Sequence, residues 1–175
     1  EADNKNTGDD NVFIGNDCGD ENTSGHDNVM IGRLAGTANT TGSDNVFVGK
    51  LAGGNNETGE DNTFIGFEAG LENTLGEKNT YIGQQAGAST IGGSFNTFIG
   101  NAAGSSCTEG RRNTFLGNAA GLNSIEGNDN VMIGYTAGRY SEQSNDNVFV
   151  GKDAGYSNTS GSGNVFVGTD AGENN

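Results

Sequence analysis

The sequence is short of basic and of apolar side chains. Its 175 residues include 8 Lys and Arg against 23 Asp and Glu, a formal net charge of −15. Binding to nucleic-acid phosphates needs a basic surface, so this balance argues against nucleic acids and against anionic membrane surfaces. Hydrophobic residues make up 31%, and no apolar run approaches the ~20 residues of a transmembrane helix. We therefore expect no membrane insertion of this segment.

Histidine is also scarce, which limits the catalytic arrangements available. His26 is the only histidine and lies in a variable turn. A Ser/His/Asp or Cys/His arrangement could be built only around that residue. Carboxylates are abundant, but their regular array singles out no pair as acid and base. We expect a non-enzymatic protein with no catalytic, cofactor-binding or metal-ligating residues. A hydrolase would need a coil that breaks the repeat to form a cleft, and none does.

The two cysteines, Cys18 and Cys107, are too far apart in the repeat to pair within one chain. They are separated by about five coils, or roughly 24 Å at ~4.8 Å per coil, whereas a disulfide needs Cα atoms within about 7 Å. Cys18 takes a position otherwise held by Ala, so we expect a small packed residue. Cys107 takes a turn position, from which it could bridge two chains.

What the sequence does contain is one word repeated every 17 residues. The word is Asn, Val or Thr, a large residue, Ile, Val or Leu, then Gly, and Ala-Gly follows. Its Asn stands at 11, 28, 45, 62, 79, 96, 113, 130, 147 and 164 without an insertion. Such spacing is typical of a solenoid in which each repeat stacks on the last. We expect one repeat array over residues 1–175, cut within a repeat at both ends.

Each word predicts a short β-strand with two apolar faces. β-branched and aromatic residues bounded by Asn and Gly favour a strand, and neighbours along a strand face opposite sides. Val12 and Ile14 therefore share one face, and Phe13 lies on the other. Two variable residues, Ala-Gly and a turn follow, for which we expect a second, weaker strand between the Ala and the turn. No stretch has helical periodicity, so we expect no helix.

The two apolar faces predict assembly. One face fills the narrow interior against the Ala row, and the other forms an apolar stripe about 48 Å long at ~4.8 Å per coil. Such a stripe exceeds the ~300–600 Å² patch typical of monomers, so we expect other copies of the chain to cover it. The pattern leaves open which face is inside. We expect Ile99→Asp to bury a charge at a cost of several kcal/mol.

Four repeated features carry alternative interpretations. The Asn of each word predicts a ladder of stacked amides that fixes register. Asp precedes that Asn at 10, 27, 44, 61, 129 and 146, which predicts a solvated acidic edge or, alternatively, a row of bound Ca²⁺. Sequons begin at Asn22, Asn39, Asn56 and Asn158, where turn chemistry or glycosylation explains them. Thr63, Thr80, Thr97 and Thr114 form a row similar to those of ice-binding solenoids.

The word Asn62-Thr63-Phe64-Ile65-Gly66 with Ala69-Gly70, separated by turns such as Asn39-Thr40-Thr41-Gly42, resembles the head repeats of trimeric autotransporter adhesins and the shaft repeats of phage tail fibres. The resemblance covers all ten words. It implies a left-handed parallel β-roll with three chains around a common axis, and a surface fibre without enzymatic activity. The repeat is longer than that of the adhesins, and its central residue is larger.

We therefore predict an all-β parallel β-solenoid of ten 17-residue coils, left-handed and homotrimeric. Its expected function is that of an extracellular, cell-surface structural or adhesive fibre segment, with a host or matrix surface ligand as a further partner. One alternative is the protomer of an end-to-end filament. Another is a monomeric module that binds Ca²⁺ or glycans.

Overall fold

The computed structural model describes residues 6–175, which form an all-β parallel solenoid. One sheet contains ten strands in chain order, all parallel. The strands have three residues each: β1 Val12–Ile14, β2 Val29–Ile31, β3 Val46–Val48, β4 Thr63–Ile65, β5 Thr80–Ile82, β6 Thr97–Ile99, β7 Thr114–Leu116, β8 Val131–Ile133, β9 Val148–Val150 and β10 Val165–Val167. Every strand follows the Asn of a word, so the predicted repeat and fold class are confirmed. The predicted handedness and trimer stay predictions.

The strands pair without any shift in register. Val46 of β3 lies opposite Thr63 of β4, and Phe47 lies opposite Phe64. Equivalent residues therefore form straight columns along the solenoid. Coil-to-coil hydrogen bonds continue outside the sheet, as between the Gly53 amide and the Ala69 carbonyl at 2.9 Å. A constant repeat length makes every coil bond to the next in the same way.

The large central residue of each strand fills the interior, against the Ala column. Phe64 and Ala69 are fully buried, and so are their counterparts in the other central coils. From Phe47 to Phe115 the five rings stack with centroids 4.6 to 5.0 Å apart and ring planes within 10°. A Cβ on Gly70 would lie 2.5 Å from the Phe64 ring. The position after each Ala is therefore glycine because the ring occupies the space that a side chain would need.

A ladder of asparagines runs beside the ring column. The Asn62 amide donates to Oδ1 of Asn45 at 3.0 Å, and Nδ2 of Asn62 donates to the Gly76 carbonyl at 2.8 Å. The backbone-to-side-chain bond recurs at every step from Asn11 to Asn164. Each side chain thus bonds backbone in two neighbouring coils. The predicted asparagine ladder is confirmed. In the central coils its side chains are buried, so they do not form a polar surface.

A second asparagine ladder and the carbonyl of the next coil together crowd the glycine three residues before most words. Nδ2 of Asn56 donates to Oδ1 of Asn39 at 2.8 Å and to the Gly59 carbonyl. A Cβ on Gly42 would lie 2.4 Å from Oδ1 of Asn39. The one non-glycine here, Ser144, has Ser141 in place of the asparagine, which removes that crowding group.

Left-handed backbone turns replace the second strand that the sequence predicts. Two non-glycine residues in most coils have positive φ, as at Asp61 (φ 57°) and Glu68 (φ 57°), and the Gly after the word also has positive φ. Asp and Asn tolerate this conformation better than most residues. Among residues 6–175 the structure has no strands except the ten above and no helix. The expected second strand is therefore wrong, and the absence of helix is confirmed for the described residues.

Two further expectations are corrected by the direction of side chains. Ile99 faces outward and is half-buried, whereas Phe98 is the fully buried residue of that strand. The expectation that Ile99→Asp buries a charge within the single chain is therefore wrong. Phe98 is the position in this strand where a buried charge would cost several kcal/mol. Cys107 is fully buried in the column of the second asparagine ladder, so it has no access to another chain. Cys18 and Cys107 are both free thiols.

Candidate functional site

The outer side of the sheet is an apolar surface with no cover in this chain. We call it the outward apolar face. It consists of two columns, the first and third residues of every strand, which are Val or Thr and Ile, Val or Leu. The third residue reaches 57% exposed at Ile14 in β1 and 68% at Val167 in β10, and is 37% exposed at Ile65 in the interior of the sheet.

The face twists little from one coil to the next. Adjacent strands in most sheets rotate by ~20–25°, but the ring planes inside this solenoid rotate by 5° to 10° from coil to coil. The in-register pairing keeps both columns straight. The predicted Thr row at Thr63, Thr80, Thr97 and Thr114 lies in the first column, with Ile or Leu beside it in the third.

The two edges of the outward apolar face differ in charge. The edge before the strands, here the acidic edge, carries six exposed carboxylates at Asp10, Asp27, Asp44, Asp61, Asp129 and Asp146. The edge after the strands, here the basic edge, carries exposed Arg33, Lys50 and Lys152. Lys50 lies 5.3 Å from the centroid of the Phe67 ring. The two edges are therefore opposite in charge around β2, β3 and β9, although the exposed Asp17 and Asp170 also lie after the strands.

The acidic edge has a structural explanation in the backbone. Each of its Asp residues has a positive φ, from 55° to 59°. Arg112 interrupts the row and bonds Asp129, with Nε to Oδ1 at 2.6 Å, which holds the pKa of that carboxyl below its usual range. Within the described residues no three His, Cys, Asp or Glu side chains come together as ligands for a metal ion. The Ca²⁺ row stays an untested alternative.

The sequon asparagines belong to the second ladder. Asn22 is 3% exposed, and Asn39, Asn56 and Asn158 are fully buried. In each, Nδ2, the atom to which a glycan would be attached, donates to the carbonyl of a glycine three residues on. These asparagines therefore stabilise the turn that contains them. In the folded chain their buried side chains leave no room for a glycan.

A recess interrupts the regular surface in the last coils. It has a volume of about 330 Å³ and is lined by Tyr135, Thr136, Arg139, Asp153, Tyr156 and Glu173. We call it the tyrosine recess. A second recess, of about 380 Å³, lies around the exposed Leu75, Ile91 and Phe95. His26, the only histidine, is exposed and bonds Asp27 at 2.9 Å.

The tyrosine recess is held by polar contacts. Oδ2 of Asp153 lies 2.6 Å from the Lys152 ammonium, and Oδ1 accepts a hydrogen bond from the Thr136 hydroxyl. Lys152 and then Thr136 lower the pKa of Asp153. The Tyr140 and Tyr156 rings meet edge to face with centroids 5.3 Å apart, and the Arg139 guanidinium lies 5.7 Å from the Tyr140 ring centroid.

Sequence reasoning missed this recess, although the sequence contains a signal for it. Three of the four tyrosines, Tyr135, Tyr140 and Tyr156, fall within 22 residues of the chain. They stand at variable positions of the repeat, where most other coils carry small or polar residues and a few carry Phe67, Leu71 or Leu122. The cluster of tyrosines is visible in the sequence only when the variable positions of neighbouring coils are compared.

No family model, no characterised protein and no solved structure matches this chain. None of the described residues forms a helix that is long and apolar enough to span a membrane.

Proposed function

We propose that this chain is a non-enzymatic segment of an extracellular structural or adhesive fibre, in which copies of the chain pack through the outward apolar face. The observation that carries this proposal is the flat, half-exposed sheet surface, ten strands long, that nothing in the chain covers. The repeats resemble trimeric adhesin heads and phage tail-fibre shafts. This resemblance supports an assembly of three chains located at the surface of a cell or particle.

The size of the face supports association. Ten strands at ~4.8 Å, with a width of about 10 Å, give about 500 Å². This lies within the ~300–600 Å² range for the largest patch of a monomer, so the expectation that the stripe exceeds this range is wrong, because the large aromatic row faces the interior. Patches of this size are often functional. Two copies meeting through it would bury about 1,000 Å² in total, the lower limit for a specific interface. In a trimer each chain meets two neighbours, which adds the borders of the face to the contact.

The regularity of the face favours a second copy over an unrelated partner. Side chains recur in two straight columns with one coil spacing. A partner surface makes equivalent contacts along the whole face only if it has the same spacing, and another copy of the chain has it. Closed symmetric association is also the commonest form of oligomer.

Charge at the borders supports parallel packing around an axis. All strands point the same way around the coil, so rotation about an axis parallel to the solenoid brings the acidic edge of one copy to the basic edge of the next. Asp44 and Asp61 of one chain would then face Arg33 and Lys50 of another. These pairs lie at the rim and contribute to orientation more than to affinity.

The test is the solution mass of the intact chain by sedimentation or light scattering. We expect three times the chain mass of 17.9 kDa. Ile82→Lys combined with Ile99→Lys, which places two charges on the outward apolar face, should give a folded monomer. Gln84→Lys, in the column of Arg33 and Lys50, is the matched control: it adds a positive charge to the basic edge, which the acidic edge of a neighbour would face, and should remain a trimer. A monomeric parent would overturn the proposal, and concentration-dependent elongation would replace it with the end-to-end filament.

Binding to ice is a second candidate, and the outward direction of the Thr row favours it. Thr63, Thr80, Thr97 and Thr114 lie on a flat face at one regular spacing, as a surface that matches a crystal lattice requires. Thermal hysteresis of a monomeric sample that falls on Thr80→Lys would support this function. A sample without hysteresis would remove it.

A further inference from the structure

We propose that the tyrosine recess is a binding site for a neutral oligosaccharide. The site lies within one chain and shares no residue with the outward apolar face. It therefore goes beyond the proposed fibre, and it lies at the basic edge, because Tyr135 stands in the column of Arg33 and Lys50.

The first observation is the aromatic content of the recess. Tyr135 is 55% exposed, and Tyr156, in the next coil, lines the same recess. The face of an aromatic ring carries partial negative charge, whereas the C–H face of a sugar ring is apolar and slightly positive. An exposed tyrosine and a half-buried one at the same recess therefore offer surfaces on which sugar rings stack.

The second observation is strain in the backbone at Thr136. Its φ is 52°, and it is the only β-branched residue with positive φ among the described residues. A β-branched side chain in this conformation is unfavourable, and such strain clusters at functional sites. Equivalent positions with positive φ carry residues that are not β-branched, namely Asp17, Leu34, Leu51, Glu68, Gln85, Ala102, Ala119, Asp153 and Asp170. The Thr136 hydroxyl donates a hydrogen bond to Asp153. The strained backbone at Thr136 therefore helps to hold the Asp153 carboxylate at the recess.

The third observation is an unused donor. Nε of Arg139 is buried and has no hydrogen-bond partner among residues 6–175. A buried polar group without a partner needs an explanation. Arg139 lines the recess together with Asp153 and Glu173, so a guanidinium and two carboxylates border the same space, with Nε itself beneath the surface. A sugar hydroxyl both donates and accepts, and it satisfies such a mixed set.

Charge selects a neutral ligand. The chain as a whole carries −15, which repels anions at long range. At the recess, however, Arg139 and Lys152 balance Asp153 and Glu173, and Lys152 is paired with Asp153 at 2.6 Å. Stacking surfaces and balanced polar groups together favour an uncharged polyhydroxylated ring.

The experiment is a titration of the intact chain, followed by the NMR signals of the tyrosine rings, with lactose, cellotetraose, maltotetraose and chitotetraose. The anionic comparison is 3′-sialyllactose. We expect saturable shifts of Tyr135 and Tyr156 with at least one neutral saccharide. Tyr156→Ala should weaken that binding at least tenfold. Phe67→Ala, which removes a ring from the same column as Tyr135 but four coils away, should not change it.

A second variant separates binding from folding. Thr136→Ala removes the strained side chain and its bond to Asp153, so the melting temperature should stay the same or rise while saccharide affinity falls at least threefold. The proposal is overturned if no neutral saccharide shifts these signals, if Tyr156→Ala and Phe67→Ala bind equally, or if sialyllactose binds more tightly. These results leave the mass of the fibre segment untouched, so the two proposals fail separately.

Discussion

The Asn96 amide donates a hydrogen bond of 2.9 Å to Oδ1 of Asn79, and Nδ2 of Asn79 donates to the Gly93 carbonyl at 2.8 Å. One buried side chain thus joins two coils. Asn79→Ala leaves a donor and an acceptor unpaired, so we expect a loss of about 2–4 kcal/mol in the free energy of unfolding. Asn118→Ala, at an exposed asparagine, should stay within about 0.5 kcal/mol. Urea unfolding measures both, and equal effects would contradict the role of the ladder.

The ring column should dominate the hydrophobic contribution to stability. Phe98 is fully buried, whereas Phe95 in the same coil is 53% exposed. Phe98→Ala should cost about 3–5 kcal/mol, and Phe95→Ala should cost under about 1 kcal/mol. Thermal or urea unfolding of the pair checks the orientation of the strand. A larger effect at Phe95 would show that the assigned interior is wrong.

The glycine after each Ala should not accept a side chain. Gly70 has φ 59°, and an added Cβ would lie 2.5 Å from the Phe64 ring. Gly70→Ala should therefore destabilise the chain by more than about 1 kcal/mol, since strain and a displaced ring act together. At Gly54 a Cβ would meet only the flexible end of Leu71, at 3.0 Å, and φ is not positive. Gly54→Ala is the control and should be close to neutral in the same unfolding assay.

Cys107 should resist thiol reagents in the folded chain. Its burial raises the pKa of the thiol to about 12, so at pH 8 almost none of it is the reactive thiolate. Cys18 is half-exposed, although burial raises its pKa as well. We expect labelling at pH 8 to modify Cys18 first and Cys107 only after unfolding in urea, as read by intact mass. Rapid labelling of Cys107 in the folded chain would contradict its position.

The acidic edge should respond to ionic strength and not to calcium specifically. Its six Asp side chains are exposed and repel one another at the coil spacing of ~4.8 Å. Salt screens such repulsion, so the melting temperature should rise as NaCl increases from low concentration to ~0.15 M. At constant ionic strength, Ca²⁺ or a chelator should leave it unchanged. A rise with Ca²⁺ that the chelator reverses would establish the row of bound cations.

The period alone was enough to predict the solenoid, because a repeat without insertions permits only stacking. It was also enough to place the ten strands and the asparagine ladder. It could not decide whether Phe64 or the pair Thr63 and Ile65 lies inside, since both faces of the strand are apolar. The deciding contact is between Phe64 and Gly70, six residues apart across the coil.

The expected second strand failed for a reason in the backbone. A strand needs extended residues, but Glu68 has φ 57° and Gly70 has φ 59°, which bend the chain twice within three residues. Glu68 is neither Gly nor Asn, so its identity gives no sign of this conformation. Cys107 was misplaced in the same way, because the turn that contains it faces the interior.

Every bond that joins Asn45 to Asn62 recurs between Asn62 and Asn79, so each interior coil is interchangeable with its neighbours. Removing residues 62–78 as a block would bring Asp61 before Asn79 and recreate the same junction. Unequal recombination between such repeats can therefore lengthen or shorten the molecule by about 4.8 Å at a time without inventing a new contact. Duplication or loss of whole repeats is therefore enough to change the length of the solenoid during evolution.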